Sequence, residues 1–130
     1  MIVTAAEDIE RLLTGHRHFE ECLLADVRWR HYGTTVELVF NSIWDGDRIR
    51  PDILARPRLV TVRLHLVQEF RLANAINEAV ARDPESLDWG FSEVAMVSLA
   101  EEGPDHHRLA VLWEGDRRID VVFRGLDIST

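Results

Sequence analysis

The chain has 130 residues, 46% hydrophobic and 29% charged, with a formal net charge of −8. That length makes one ordinary domain, large enough to bury a core without help from a disulfide or a metal. Several classes are excluded by composition: no stretch approaches the ~18 apolar residues that span a membrane, the single cysteine, Cys22, makes no internal disulfide, and the acidic balance has the wrong sign for nucleic acid or anionic lipid.

The first residues, MIVTAAEDIERLL, lack the basic start and apolar run of a secretion signal. Together with the lone cysteine, this fits the cytoplasm. Residues 4–14 read as a helix: Thr4 and Glu7 have capping-box spacing, Ala5, Ile9, Leu12 and Leu13 share a face, and Gly15 is the stop.

Strand patterns follow. In ECLLADVRWR, Leu23, Ala25, Val27 and Trp29 alternate with Cys22, Leu24, Asp26 and Arg28, and HYG at 31–33 is a turn. In TTVELVFNSIW, Val36, Leu38, Phe40 and Trp44 point one way, with Glu37 and Asn41 opposite. The stretch 45–57, DGDRIRPDILARP, is rich in turn formers and reads as an exposed loop. RLVTVRLHLV then places Val60, Val62, Leu64 and Leu66 on one face.

The period changes after Phe70. Leu72, Ala75, Ile76, Ala79 and Val80 fall at helical spacing, with Asn74 as a cap and Pro84 just past the end. Strands resume with FSEVAMVSLAEE. HHRLAVLWE and RRIDVVFRG flank Gly115-Asp116, which is hairpin chemistry. The expected fold is α+β and mainly antiparallel: about six strands, as a meander or sandwich, with an N-terminal helix and a second helix between strands three and four. Short connections force antiparallel neighbours. No repeat or domain boundary interrupts residues 1–130.

Candidate chemistry is sparse. His16, His18 and Glu20 would share a strand face and could grip one metal ion. The plainer reading has Gly15 ending the helix, the histidines in a polar connection and Phe19 entering the core. His106 and His107 are adjacent, so on a strand they face opposite ways. Asp45-Gly46-Asp47 has an Asp-x-Asp spacing that turn chemistry explains equally well. Cys22 stands beside Glu21, which disfavours a thiolate, so a buried inert thiol is the reading. Serine-nucleophile and phosphate-loop motifs are absent, and no cofactor is expected.

The tryptophans carry more information. Trp29 and Trp113 lie on apolar strand faces and read as core. Trp44 and Trp89 sit at polar connections, where exposed tryptophan favours binding. With Asp45, Asp47, Glu85 and Asp88 they form the expected binding surface, acidic and aromatic-edged. All 15 basic residues are arginine, planar forks suited to pairing with carboxylates.

HFEECLLADVRWRHYGTTVELVF resembles the opening of small β-rich bacterial immunity proteins of polymorphic toxin systems. RLVTVRLHLVQEFRL is similar to their next strand, and HRLAVLWEGDRRIDVVFRGLDI to their closing hairpin. Where that pattern has Phe-His-Asp, this chain has Phe19-Glu20-Glu21. The resemblance implies a non-catalytic protein that binds and blocks a toxin, and acidity would suit a basic toxin. Two alternatives stand beside it. One is a small metal-dependent enzyme or ligand-binding sandwich built on His16, His18 and Glu20. The other is a homodimer or larger homo-oligomer that pairs an unprotected strand edge.

Overall fold

A computed structural model describes residues 1–52, 55–74, 81–82, 92–113 and 117–130. Helix α1 (Ala6–Gly15) is followed by β1 (Leu23–Arg30), β2 (Thr35–Asn41), β3 (Trp44–Asp45), β4 (Arg48–Ile49) and β5 (Leu59–His65). Then come β6 (Glu69–Ala73), β7 (Ser92–Gly103), β8 (His106–Trp113), β9 (Arg117–Phe123) and β10 (Gly125–Ser129). The fold is mainly antiparallel β, as expected, but with ten strands among the described residues in place of about six. The six alternating runs are β1, β2, β5, β7, β8 and β9. The additions are a short ribbon, β3–β4, inside the stretch read as loop, and β6 and β10, which continue β5 and β9 after a bend.

Those bends determine the architecture. Eight strands form one sheet in the order β10-β5-β2-β1-β7-β8-β9-β6. Its two ends are chemically continuous with its interior: β6 follows β5 along the chain and pairs β9, while β10 follows β9 and pairs β5. The ladder runs through the bend, because Arg124 N donates to His65 O (3.0 Å) and Gln68 N to Val122 O (2.8 Å). Leu66, at φ 53, supplies the extra residue that turns the ribbon. The sheet thereby closes on itself. The other joint, β1 with β7, is brief, pairing Leu23 with Glu93 and Leu24 with Ser92.

One core fills the interior, drawing on both halves: Phe40, Val62 and Leu64 from one, Val97, Leu109 and Phe123 from the other, with Ile9 and Leu13 from α1. Burial alternates as expected in β5; in β2 Val36, Leu38 and Phe40 enter the core as expected, but the residues between them are buried as well. β1 departs from the expected alternation. A bulge between Leu24 and Asp26 inverts the phase, so Cys22 and Leu24 are buried while Leu23 and Ala25 are half-buried. Trp29, read as core, is 55% exposed and meets Phe70 edge-on, with ring centroids 5.2 Å apart. Leu66, also read as inward, is 63% exposed because the bend turns it out. The side chain of Trp113 lies outside what is described.

The second expected helix is corrected at its start: Leu72 belongs to β6, paired with Ile119. Its remaining positions, 75–80, lie outside the described residues, as do Gly115 and Asp116, although the strands flanking them pair as expected, out to Trp113 with Arg117. The capping box is not formed. α1 begins at Ala6 with Ala5 as its N-cap and no side-chain cap. Thr4 is drawn into extended backbone instead, since Val3 pairs with Leu126 and the Thr4 carbonyl lies 2.7 Å from His107 Nε2. His106 turns outward to Arg124, so the two histidines do face opposite ways.

The sheet's outer surface is neutralised by arginine. Glu37 is buried on β2 between Arg30 (2.7 Å) and Arg63 (2.9 Å), and Arg63 also donates to Asp127 (2.8 Å). On the opposite half, Asp120 takes two bonds from Arg118, of 2.6 and 2.8 Å. The Arg30 hydrogen bond, with that of Arg63, holds the Glu37 carboxyl below its ordinary range. A depressed carboxyl stabilises the fold fully above its unfolded value and loses that contribution as pH falls. Glu37→Gln is therefore expected to lower unfolding free energy by about 1–2 kcal/mol at neutral pH. In urea titrations the gap to wild type should close progressively below the ordinary carboxyl value of 4.5.

Candidate functional site

The segment after α1 is bent the wrong way for L-residues. Arg17, His18 and Phe19 sit at φ 55, 52 and 51. Left-handed backbone costs about 1–2 kcal/mol for each non-glycine residue. Burial of Phe19 offsets much of this. Its ring is fully buried and stacks on Phe40 at 4.3 Å, with His16 on it at 5.2 Å and nearly parallel. Burying such a side chain contributes about 1.5–3 kcal/mol, and each aromatic pair adds about 0.5–1.5. The turn's backbone is also satisfied: Phe19 N reaches His16 O (3.0 Å), Glu20 N reaches Arg17 O (3.1 Å) and Cys22 N reaches Phe19 O (3.0 Å).

This turn presents Arg17 to the β3–β4 ribbon. Its guanidinium carbon lies 4.2 Å from the centre of the Trp44 ring, and its Nη1 donates to Asp47 Oδ1 at 3.0 Å. Trp44 Nε1 donates to the Glu20 carbonyl at 2.8 Å, tying ribbon to turn. Gly46, at φ 61, makes the tight reversal between β3 and β4. The segment beyond is fixed by Arg50, whose buried side chain donates to Ser42 O (2.7 Å) and to Arg56 O. Arg58 is held through its backbone: its amide donates to Asn41 Oδ1 (3.0 Å) and its carbonyl accepts from Ser42 N (2.9 Å).

Between turn and ribbon lies a cavity of about 150 Å³, lined by His16, Arg17, Ser42, Trp44, Gly46 and Arg58 among others. Burial lowers the pKa of His16, and the charge of Arg58 lowers it further. Burial raises that of Cys22, which fits the inert thiol inferred from sequence.

Of the expected binding residues, Trp44, Asp45 and Asp47 share this ribbon. Asp45 is exposed, and the Asp47 side chain is 97% exposed. Glu85, Asp88 and Trp89 lie outside the described residues. The potential metal ligands are not brought together. His16 stacks on Phe19, His18 Nε2 lies 2.5 Å from Glu10 Oε1, and Glu20 is exposed. Among the described residues no three His, Cys, Asp or Glu side chains gather as a metal site. Arg17, Arg50 and Arg58 went unnoticed in the sequence, where arginine reads as a surface partner. The only available signal was four arginines within the segment 48–58.

No protein-family model matches the chain, and no curated protein does. The fold is similar to the crystal structure of an uncharacterized protein from Neisseria gonorrhoeae, with a TM-score of 0.59 over 85% of this chain and 92% of that one. Identity is 10%, so the likeness is one of fold alone. Among the described residues no helix is long and apolar enough to cross a membrane.

Phe19→Ala is expected to lower unfolding free energy by about 3–5 kcal/mol, through the lost ring and the strain it no longer offsets. Arg17→Ala should cost about 1 kcal/mol or less, since its contacts are exposed. Urea unfolding of both variants checks the assignment of Phe19 as the anchor; equal, small losses would refute it.

Proposed function

We propose that the protein is a non-catalytic binding domain of the cytoplasm that engages a basic protein partner, in the manner of the immunity proteins its sequence resembles. The observation that carries this reading is the distribution of charge. Carboxylates on the sheet faces are locked to arginines, as at Glu37, Asp120 and Asp127. Glu20, Glu21 and Asp45 are exposed and have no ion-pair partner among the described residues. They belong to the strained turn and the ribbon, beside the half-buried ring of Trp44.

Unpaired carboxylates around a semi-exposed indole suit a basic partner. Long-range attraction speeds the encounter, and the aromatic ring supplies contact area with little side-chain entropy to lose. The net charge of −8 adds to that steering. A rigid base matters as well, because a pre-ordered surface loses less entropy on binding. Arg50 and Phe19 provide that base.

The partner to test first is a basic toxin encoded beside the gene. Co-expression should restore growth, and the purified pair should associate with a rate that falls steeply with salt. Glu20→Gln, Glu21→Gln and Asp45→Asn combined should slow association by about tenfold and flatten the salt dependence. Glu102→Gln, on a carboxylate already held by Arg108, should leave both unchanged. Absence of association with any neighbouring toxin, or identical rates for the triple variant and wild type, would contradict the reading.

A further inference from the structure

We propose that the cavity between the left-handed turn and the β3–β4 ribbon binds a small oxyanion, a carboxylate or a phosphate, anchored on Arg58 with Arg17 as its second contact. This goes beyond partner binding and does not depend on it. The first support is where the unpaired cations lie. In a chain with eight more acids than bases, most arginines of the described residues are matched to carboxylates. Among the described residues Arg48, Arg56 and Arg58 have no such match; Arg48 lies in the ribbon itself, and Arg56 and Arg58 in the segment that follows it. Arg124, also without a carboxylate, donates instead to His106.

Of these, Arg58 lines the cavity. Its backbone is pinned on both sides by Asn41 and Ser42, so its side chain extends from a fixed point. Arg17 lines the same cavity, and Asp47 engages only its Nη1. Two guanidinium forks on fixed backbone make a geometry that recognises a planar or tetrahedral oxyanion. His16, kept from charging by burial and by Arg58, offers a ring nitrogen as a further polar contact. The backbone strain at Arg17 is part of the same picture, because left-handed non-glycine residues concentrate where a site must be shaped.

Size narrows the ligand. A water molecule occupies about 30 Å³ in the liquid, so a cavity of about 150 Å³ has room for a phosphate or a short carboxylic acid. A nucleotide does not fit. Opposing charge comes from the carboxylate of Thr130, which also lines the cavity, and from Asp47 and Asp45 on the ribbon, both exposed and screened by solvent.

The test is titration of the ¹⁵N-labelled protein with sodium phosphate and, separately, sodium acetate, each against sodium chloride at matched ionic strength. Saturable shifts are expected at the Trp44 indole N–H and at the Gly15, His16 and Gly46 amides. The arm that saturates at lower concentration identifies the oxyanion. Arg58→Gln should weaken binding by at least about tenfold, Arg17→Gln by less, and Arg124→Gln not at all. Shifts no larger than those with chloride in both arms, or wild-type affinity in Arg58→Gln, would overturn the proposal. The variant lacking the Glu20, Glu21 and Asp45 charges should titrate normally, so failure of toxin binding and failure of the oxyanion site are read separately.

Discussion

The ribbon of β5–β6 and β9–β10 bends once, at Leu66 on one strand and Arg124 on the other, without losing its hydrogen bonds. Everything else rests on that bend. Without it, β10-β5-β2-β1 and β7-β8-β9-β6 would each need a separate cover for an apolar face. With it, the two faces share one interior, and α1 and Phe19 are enough to fill what the strands leave open. The cost is small: one leucine in left-handed backbone and exposed. The gain is that Leu64 and Phe123, on either side of the bend, are both fully buried.

The candidate site follows from how the interior is plugged. Phe19 must reach Phe40 within a few residues of the end of α1, and the chain gets there by turning left-handed for three residues. That turn throws Arg17 outward over Trp44 and lays His16 on the outer side of the Phe19 ring. Packing and site are thus one structure, and the strain is offset by burial of the same ring that aims the arginine. Charge is organised by a similar economy. Arginines cover the outer faces of the sheet and neutralise the carboxylates between them. Among the described residues, charges without an ion-pair partner include Glu20, Glu21 and Asp45 at the turn and the ribbon, and Arg58 beside them.

The sequence exposes the long strands because a half-buried strand alternates with period two. β2 and β5 read correctly down to individual core residues, Val36, Leu38, Phe40, Val60, Val62 and Leu64. Bends and bulges were not legible. Leu66 adopts left-handed backbone with no glycine or proline to mark it, so one bent strand reads as a strand followed by a helix. The bulge after Leu24 leaves no compositional trace, yet it shifts the phase of β1 so that Leu24 before it and Val27 after it both face the core; Trp29 shares that face, opposite Val36, but is 55% exposed near the end of the strand. Thr4 has capping chemistry, but a distant carbonyl contact from His107 overrides it. Trp44, Asp45 and Asp47 were recognisable because an aromatic residue beside turn formers is unusual. Arg58 was not, since what marks it is the lack of a carboxylate partner among the described residues, and that is a property of the folded chain.

Native-state hydrogen exchange tests the closed sheet most directly. If the bent ribbon joins the halves into one cooperative unit, amides of Val62 and Leu64 should open with the same free energy as those of Leu109 and Val121. The bend amides of Gln68 and Arg124 should be protected with them. Two distinct opening energies for the halves, with Gln68 and Arg124 exchanging at unprotected rates, would contradict it.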